Sequence, residues 1–441
     1  MSDISDRHTD VFSGGTLTTG KEYALALDAA DPLAYFRDRF FLQPGTVYLD
    51  GNSLGPLSRD AEAAVQQALD SWKRHGIDGW LGADPPWFTL GEDLGARMAL
   101  LVGAVPESVI VTGTTTVNLH QMLGTFYRPH GARRRIVATA LDFPSDIYAL
   151  QSQIRTLGGD PESDLVLVPS RDGRLIAEED IEAALTDEVA LVLLPSVLYR
   201  SGQLLDIPRL AQAARRCGAL IGLDCAHSVG ALPHDFVGWD IDFAVWCSYK
   251  YLNGGPGAVG ALYVNPRHFG REPALAGWWG YRKDRQFEMA HRWEGAPNAG
   301  AWQISTIPLL SASALLGALT ITEEAGIAAI RAKSLAQTDY LMTLIEENGL
   351  CSPDFGFRIG TPRGHARRGG HVALEHDEAS RIVQALKARG VIVDFRPPDV
   401  VRIAPVALYT SCQELWQTVQ VLREIVKTGA HRAYTASALV T

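Results

Sequence analysis

Val245-Trp246-Cys247-Ser248-Tyr249-Lys250-Tyr251-Leu252-Asn253-Gly254-Gly255-Pro256-Gly257 sets one lysine between an apolar run and a loop too rich in glycine to be helix or strand. An apolar run that ends at a reactive residue, with permissive backbone beyond it, suits a carbonyl cofactor: the strand fixes the amine and the glycines leave room. Lys250 therefore reads as a Schiff-base lysine, although the same composition also describes a plain strand-to-turn junction with a surface lysine. A second apolar run lies upstream, Ala219-Leu220-Ile221-Gly222-Leu223-Asp224-Cys225-Ala226-His227-Ser228. It places Asp224 where a buried strand meets the loop at its carboxyl end. A carboxylate there can pair with a pyridinium nitrogen and keep the ring protonated, so that it draws electrons from a substrate carbanion. An Asp at a strand end also serves as a helix cap or turn former. Strand-Asp-x-x-His followed by strand-Ser-Tyr-Lys is more specific than either half.

The 441 residues have room for two or three domains, and 46% hydrophobic content supplies a large core. A net charge of −10 argues against nucleic acid or an anionic membrane surface as the main partner. The five cysteines, Cys217, Cys225, Cys247, Cys351 and Cys412, are scattered and form no CxxC pair. They indicate neither a disulfide framework nor a zinc site, and no metal site is expected. Met1 to Asp10 is polar, without an apolar core of signal-peptide length, and no apolar run reaches membrane-spanning length. The expectation is a cytoplasmic protein acting on a small molecule.

Around the two runs the pattern alternates helix and strand from Leu90 to Val264, and several strands are continuous apolar runs. That marks a sheet buried on both faces, hence an α/β domain with a mainly parallel sheet whose ligand lies at the strand carboxyl ends. Three parts are expected: an N-terminal arm over 1–45, a large domain over 46–310 and a smaller α+β domain over 311–441. The arm includes a helix-like run from Asp31 to Phe41. Ser58 caps an amphipathic helix from Arg59 to His75. Trp80 and Trp87 sit in a proline-bearing loop, where they serve as packing or wall an aromatic-substrate pocket.

Further polar groups sit at strand ends. Thr114-Thr115-Thr116 follows a strand and opens a helix, so it can cup a phosphate or simply cap. Phe143-Pro144-Ser145-Asp146 offers a ring to stack on a cofactor and a carboxylate beside it; the plain alternative is a proline turn capping a helix. Arg402 lies inside the apolar run from Val400 to Leu408. A buried Arg is rarely unpaired, so either a protein or a substrate carboxylate should meet it.

Taken in order, Asp50-Gly51-Asn52-Ser53-Leu54-Gly55, Thr116-Val117-Asn118-Leu119-His120, Phe143-Pro144-Ser145-Asp146, Asp224-x-x-His227, Ser248-Tyr249-Lys250-Tyr251-Leu252-Asn253, Gly277-Trp278-Trp279-Gly280 and Arg402-Ile403-Ala404-Pro405 resemble the kynureninase family. The resemblance runs from about residue 46 to 415. It implies a fold-type-I homodimer that binds pyridoxal 5'-phosphate and hydrolyses L-kynurenine, or a ring-substituted analogue, to anthranilate and L-alanine in tryptophan catabolism. Lys250 then matches the cofactor lysine, Asp224 the partner of the pyridine nitrogen and Phe143 the stacking ring, while Thr116, Tyr249 and Trp278 match phosphate contacts. Thr115, Pro144, Ser145, Asp146, His227 and Thr306 fall on further cofactor-site positions, and Arg402, Ser53 and Trp80 on the substrate side. Lys250 would move the α-proton, and Tyr249 is the candidate proton relay after C–C cleavage.

Pro195 replaces a Ser or Thr of the family, removing a hydrogen bond worth about 1 kcal/mol. Tyr281 stands where the animal enzymes have His. The sequence around Trp80 follows neither the bacterial nor the animal pattern, so a substituted ring is open as substrate. The alternative is a cysteine desulfurase-like C–S lyase, which needs a nucleophilic cysteine on a mobile loop. Cys351 is the candidate, without the glycine-flanked loop expected for it.

Overall fold

In the computed structural model, residues 20–436 are described. The reading of Met1 to Asp10, and most of the first half of the arm, lies outside them. Seven strands form the main sheet: β1 (Val109–Val111), β2 (Arg135–Thr139), β3 (Leu165–Val168), β4 (Val189–Pro195), β5 (Leu220–Asp224), β6 (Phe243–Cys247) and β7 (Gly260–Val264). Their order is β1-β7-β6-β5-β4-β2-β3. Strands β2 to β6 run parallel, while β7 is antiparallel to both of its neighbours. The central strands are buried along their whole length, as their unbroken runs of Val, Leu and Ile require.

Helix α1 (Arg59–His75) is capped by Ser58, whose Oγ accepts from the Ala61 N–H at 3.1 Å. Helices α2 (Thr115–Phe126) and α3 (Pro144–Thr156) each start where a strand of the sheet ends. Helix α4 (Leu309–Ala325) lies along α1, and Gly317 permits the close approach: a Cβ there would stand 2.2 Å from the Asp60 carbonyl oxygen. At Gly326, with φ +75°, the chain bends by 77° into α5 (Ile327–Glu347). No single helix among the described residues is long and apolar enough to cross a membrane.

A second, four-stranded antiparallel sheet has the order β10-β11-β9-β8, from β8 (Arg358–Ile359), β9 (Val372–Glu375), β10 (Asp394–Arg396) and β11 (Val400–Ile403). Helix α6 (Cys412–Thr428) closes it, opened by a capping box between Ser411 and Glu414. Among the described residues the large sheet has a core on each face, and the second body has a core of its own. Leu315 and Leu319 of α4 join the core of the large sheet, whereas residues from Tyr340 onward share a core with Ala24, Val47 and Leu49. The arm packs on the second body, where Arg37 makes a paired contact with Glu414 at 2.6 and 2.7 Å, and on the large one, where Phe36 and Phe40 share a cluster with Ala231 and Tyr251. The run from Asp31 to Phe41 yields only a tight 3-10 helix, Ala34–Arg39. The Asp31 carboxylate accepts from the Leu33 N–H at 2.9 Å, a local turn that competes with helix propagation.

Candidate active site

Parallel pairing sets Asp224 opposite Val245, and the Cys225 N–H extends the ladder to the Val245 carbonyl at 2.8 Å. The loops after β5 and β6 therefore leave the sheet side by side. His227 Nε2 meets Lys250 Nζ at 2.9 Å. Burial pulls the Lys250 amine below its usual basicity, against the opposing pull of Cys247 and Asp224. Burial likewise pushes the Tyr249 phenol well above its usual range, so it stays protonated and able to donate. Beyond Lys250 the backbone is as permissive as its glycines suggested: Asn253, Gly255 and Gly257 all have positive φ. Gly55 fits against this loop, its N–H donating to the Tyr249 carbonyl at 2.7 Å.

Three carboxyl groups gather at the neighbouring strand ends. Asp224 Oδ1 accepts from the Ala226 N–H at 2.8 Å. Asp142, held by the Thr139 N–H and hydroxyl, is pushed up to about 7 by burial. Asp146 is raised well above the usual carboxylate range by burial and then by Asp224 and Asp142. Like charges crowded in a buried place favour a cationic guest, and a protonated ring nitrogen is such a guest. On the same side, α2 and α3 open with no side chain capping them. The capping explanation for Thr115 and Thr116 is thus not what the structure uses. Thr116 Oγ1 lies 3.4 Å from Ser145 Oγ, which joins the two helix starts into one polar cup suited to a phosphate. Phe143 is 43% exposed and packs edge-on to Tyr199 at 5.3 Å.

Tyr199 links this group to the second body, its carbonyl accepting from Arg402 Nη1 at 2.8 Å. Arg402 is fully buried. It is paired with a protein carboxylate, Asp394 of β10, and donates to Ser53 Oγ at 2.8 Å. Arg396 shares Asp394 at 2.8 Å, and burial with Asp394 pushes the nearby Asp50 carboxyl up to about 7. Two guanidinium groups thus stand beside two carboxyls, one of which is largely protonated below pH 7, which favours a further anion. Asp142, Arg396, Asp394 and His371 were not singled out by the sequence. Asp394-Phe395-Arg396 does alternate charge and apolar residue as a one-sided strand would; His371 carries no such signal.

The structure does not bring Trp80, Trp278 and Thr306 to this group. They line a separate cleft of about 640 Å³ with Ile77, Phe88 and Phe287. Trp80 packs on Trp279 at 5.2 Å and Phe88 stacks on Phe287 at 5.8 Å. No hydrogen bond or ring contact among the described residues joins the cleft to Lys250, His227 or Phe143. Pro195 ends β4 in register with Asp224, and Tyr281 is buried beside the cleft's tryptophans. Cys351 is exposed beyond α5, and its thiol is held above its usual range by partial burial and Glu346, which disfavours the thiolate a persulfide chemistry needs. Among the described residues no cluster of His, Cys, Asp and Glu could hold a metal ion.

Residues 330–422 match the model of the kynureninase C-terminal domain. The kynureninase of Geobacillus thermodenitrificans is 54% identical over 413 residues, covering 94% of this chain and 96% of that protein. The chain belongs to the kynureninase family. A kynureninase of Bacillus cereus is 55% identical over the same share of both chains. Among solved structures, the fold is shared with a cysteine desulfurase of Thermococcus onnurineus at TM-score 0.75 and 18% identity, covering 90% of this chain and 98% of that one. It is shared also with a mutant of the C–S lyase C-DES carrying glycine linked covalently to its PLP cofactor, at TM-score 0.74 and 20% identity, covering 88% and 98%. The expected fold type I, an α/β large domain with a mainly parallel sheet and a C-terminal domain, is the one observed.

Asp142 gives this kynureninase-family site a pH signature. A carboxyl raised from about 4 to about 7 keeps its proton in the native state, so it costs stability progressively as the pH rises through that window. In cofactor-free protein, Asp142→Asn flattens the fall in unfolding free energy between about pH 4 and 7, read by urea titration. Parallel pH curves for the two proteins would remove the assignment.

Proposed function

We propose that the chain hydrolyses L-kynurenine, or a ring-substituted kynurenine such as 3-hydroxykynurenine, to the corresponding anthranilate and L-alanine, with pyridoxal 5'-phosphate bound at Lys250. The carrying observation is the amine of Lys250 set against His227 beside the Asp142, Asp146 and Asp224 carboxyls, in a chain of this family. The residues fit the cofactor: Lys250 would hold its aldehyde carbon, Asp224 its ring nitrogen, Phe143 its face, and Thr115, Thr116 and Ser145 its phosphate. When bound, the cofactor supplies the electron sink for a carbanion on the amino-acid side of the substrate. Lys250, made less basic by burial, takes the α-proton and returns it. Tyr249, held as a neutral phenol, donates a proton after the C–C bond breaks. Ser53, Arg402 and Arg396 orient the substrate carboxylate. Purified protein should absorb near the visible edge and release fluorescent anthranilate on addition of L-kynurenine. No anthranilate from any kynurenine tried would refute the reading.

Arg402→Ala raises KM for kynurenine by about 30-fold or more, since a buried charge-assisted pair is worth about 2–5 kcal/mol. An unchanged KM would leave Arg402 a purely structural partner of Asp394.

The same reading makes the protein a homodimer of a reducing cytoplasm, which the five unpaired cysteines suit. Trp278 is 47% exposed and Phe287 65%, on a cleft separate from their own chain's Lys250. A second copy laid over this face would bring Trp278, Thr306 and Trp80 to the partner's Lys250, and would cover apolar surface that is costly to leave wet. Lys250→Ala and Trp278→Ala proteins, each inactive alone, should regain activity when mixed and refolded together. Continued inactivity of the mixture would place Trp278 in its own chain's site.

A further inference from the structure

Lys283 does not line the aromatic cleft but touches two rings that do. It follows Tyr281, which bridges antiparallel to Gly295, and the Arg282 N–H donates to the Glu294 carbonyl at 3.0 Å, so a short ribbon carries the lysine. The side chain keeps 20% of its surface exposed, yet its ammonium nitrogen is buried and makes no hydrogen bond. A lysine ordinarily does the reverse, burying its methylenes and keeping the charge in water.

What the nitrogen meets instead is aromatic. It lies over the Trp279 ring at 4.0 Å from the centroid and over the Phe88 ring at 4.5 Å, both within the range of a cation–π contact, which is strongest where water is excluded. Its ion-pair partner, Glu92 Oε1 of the helix Leu90–Leu101, stands at 3.7 Å and already accepts from Gln303 Nε2 at 2.8 Å. Glu92 thus supplies the opposite charge that a buried ammonium requires without drawing it off the rings. Burial pulls the Lys283 amine below its usual basicity and pushes the Glu92 carboxyl above its usual range, and each group opposes the shift of the other.

The two rings touched by the ammonium are the ones that tie the cleft together. Trp279 packs on Trp80 at 5.2 Å, and edge-on to Trp278 at 5.7 Å and to Phe88 at 5.5 Å. Phe88 stacks in turn on Phe287 at 5.8 Å, and its N–H donates to the Trp80 carbonyl at 3.0 Å. One wall of the cleft comes from the loop of Trp80 and Phe88, the other from the segment of Trp278, Trp279 and Phe287. Lys283 belongs to the second wall and reaches Phe88 of the first.

We propose that Lys283 is the clamp of this cleft: its ammonium, held over Trp279 and Phe88, fixes the spacing of the two walls and with it the fit of the substrate's aryl ring. Lys283 is a positioning residue, acting through the rings. The clamp stands on geometry alone, while the identity of the aryl ring rests on the function proposed above.

The two products of that reaction separate the roles, since anthranilate carries the ring and L-alanine does not. In holoenzyme, Lys283→Met should raise the inhibition constant of anthranilate and the KM for kynurenine by roughly 3- to 30-fold, the scale of a desolvated cation–π contact, with kcat and the inhibition constant of L-alanine changed less than about twofold. Lys283→Met also strands Glu92, so the double variant Glu92→Gln/Lys283→Met, with no buried charge left unpaired, separates the two losses. It should bind anthranilate as poorly as the single variant; affinity restored to the wild-type level assigns the effect to Glu92 and overturns the proposal. An L-alanine constant that shifts in step with that of anthranilate overturns it too. The clamp is also read with no ligand added, in protein labelled with ¹³C at the lysine ε carbon, the Lys283 signal being assigned by its loss in Lys283→Arg. Ring currents should shift its ε protons upfield, and a position among the exposed lysines sinks the clamp. An upfield signal in a protein inactive on every kynurenine would refute the function and leave the clamp standing.

Discussion

The parallel pairing of β5 with β6 is the constraint on which the site depends. Because Asp224 stands opposite Val245, the residues three beyond each strand end, His227 and Lys250, emerge within hydrogen-bond reach. A slip of one residue would turn every side chain of the strand to the other face and part the two. Phe243 guards that register: Gly222 lies opposite it, and any Cβ at Gly222 would enter the Phe243 ring at 2.1 Å. The chemistry at the strand ends is thus set by packing in the strand interiors.

Electrostatics then divides the site. On the sheet side, crowded carboxyls make a place for a cation; on the second body, Arg396 and Arg402 outweigh their carboxyl neighbours and make a place for an anion. Lys250 and His227 lie between them. A zwitterionic amino acid, or a cofactor with a protonated ring and a phosphate, matches such a division. Neutral ligands gain little from it.

Most of the large sheet was legible in the sequence because its strands are long apolar runs with sharp polar ends, and the same ends announced Asp224, Phe143 and Lys250. The run from Asp31 to Phe41 misled because Asp31 bonds its own backbone, an effect that hydrophobic periodicity does not register. Arg402 was recognised as paired, but its partner could not be read, since Asp394 reaches it across a strand pairing rather than along the chain. His371 was invisible for the same reason: it gains meaning only when the second sheet docks against the loop of His227. Trp80 was legible as an aromatic beside a pocket and Trp278 only through the family resemblance, while the chain alone gives no sign of whose pocket.

The bend at Gly326 has a mechanical side. Helix α4 is anchored in the large core and α5 in the small one, so the chain passes from one half of the site's support to the other at a single residue with φ +75°. The 21 residues of α5 form an arm about 30 Å long, and a rotation of about 5° at its root sweeps the tip through nearly 3 Å. His227 and His371, one ring from each body with centroids 6.0 Å apart, face each other across a seam whose width such a rotation would change.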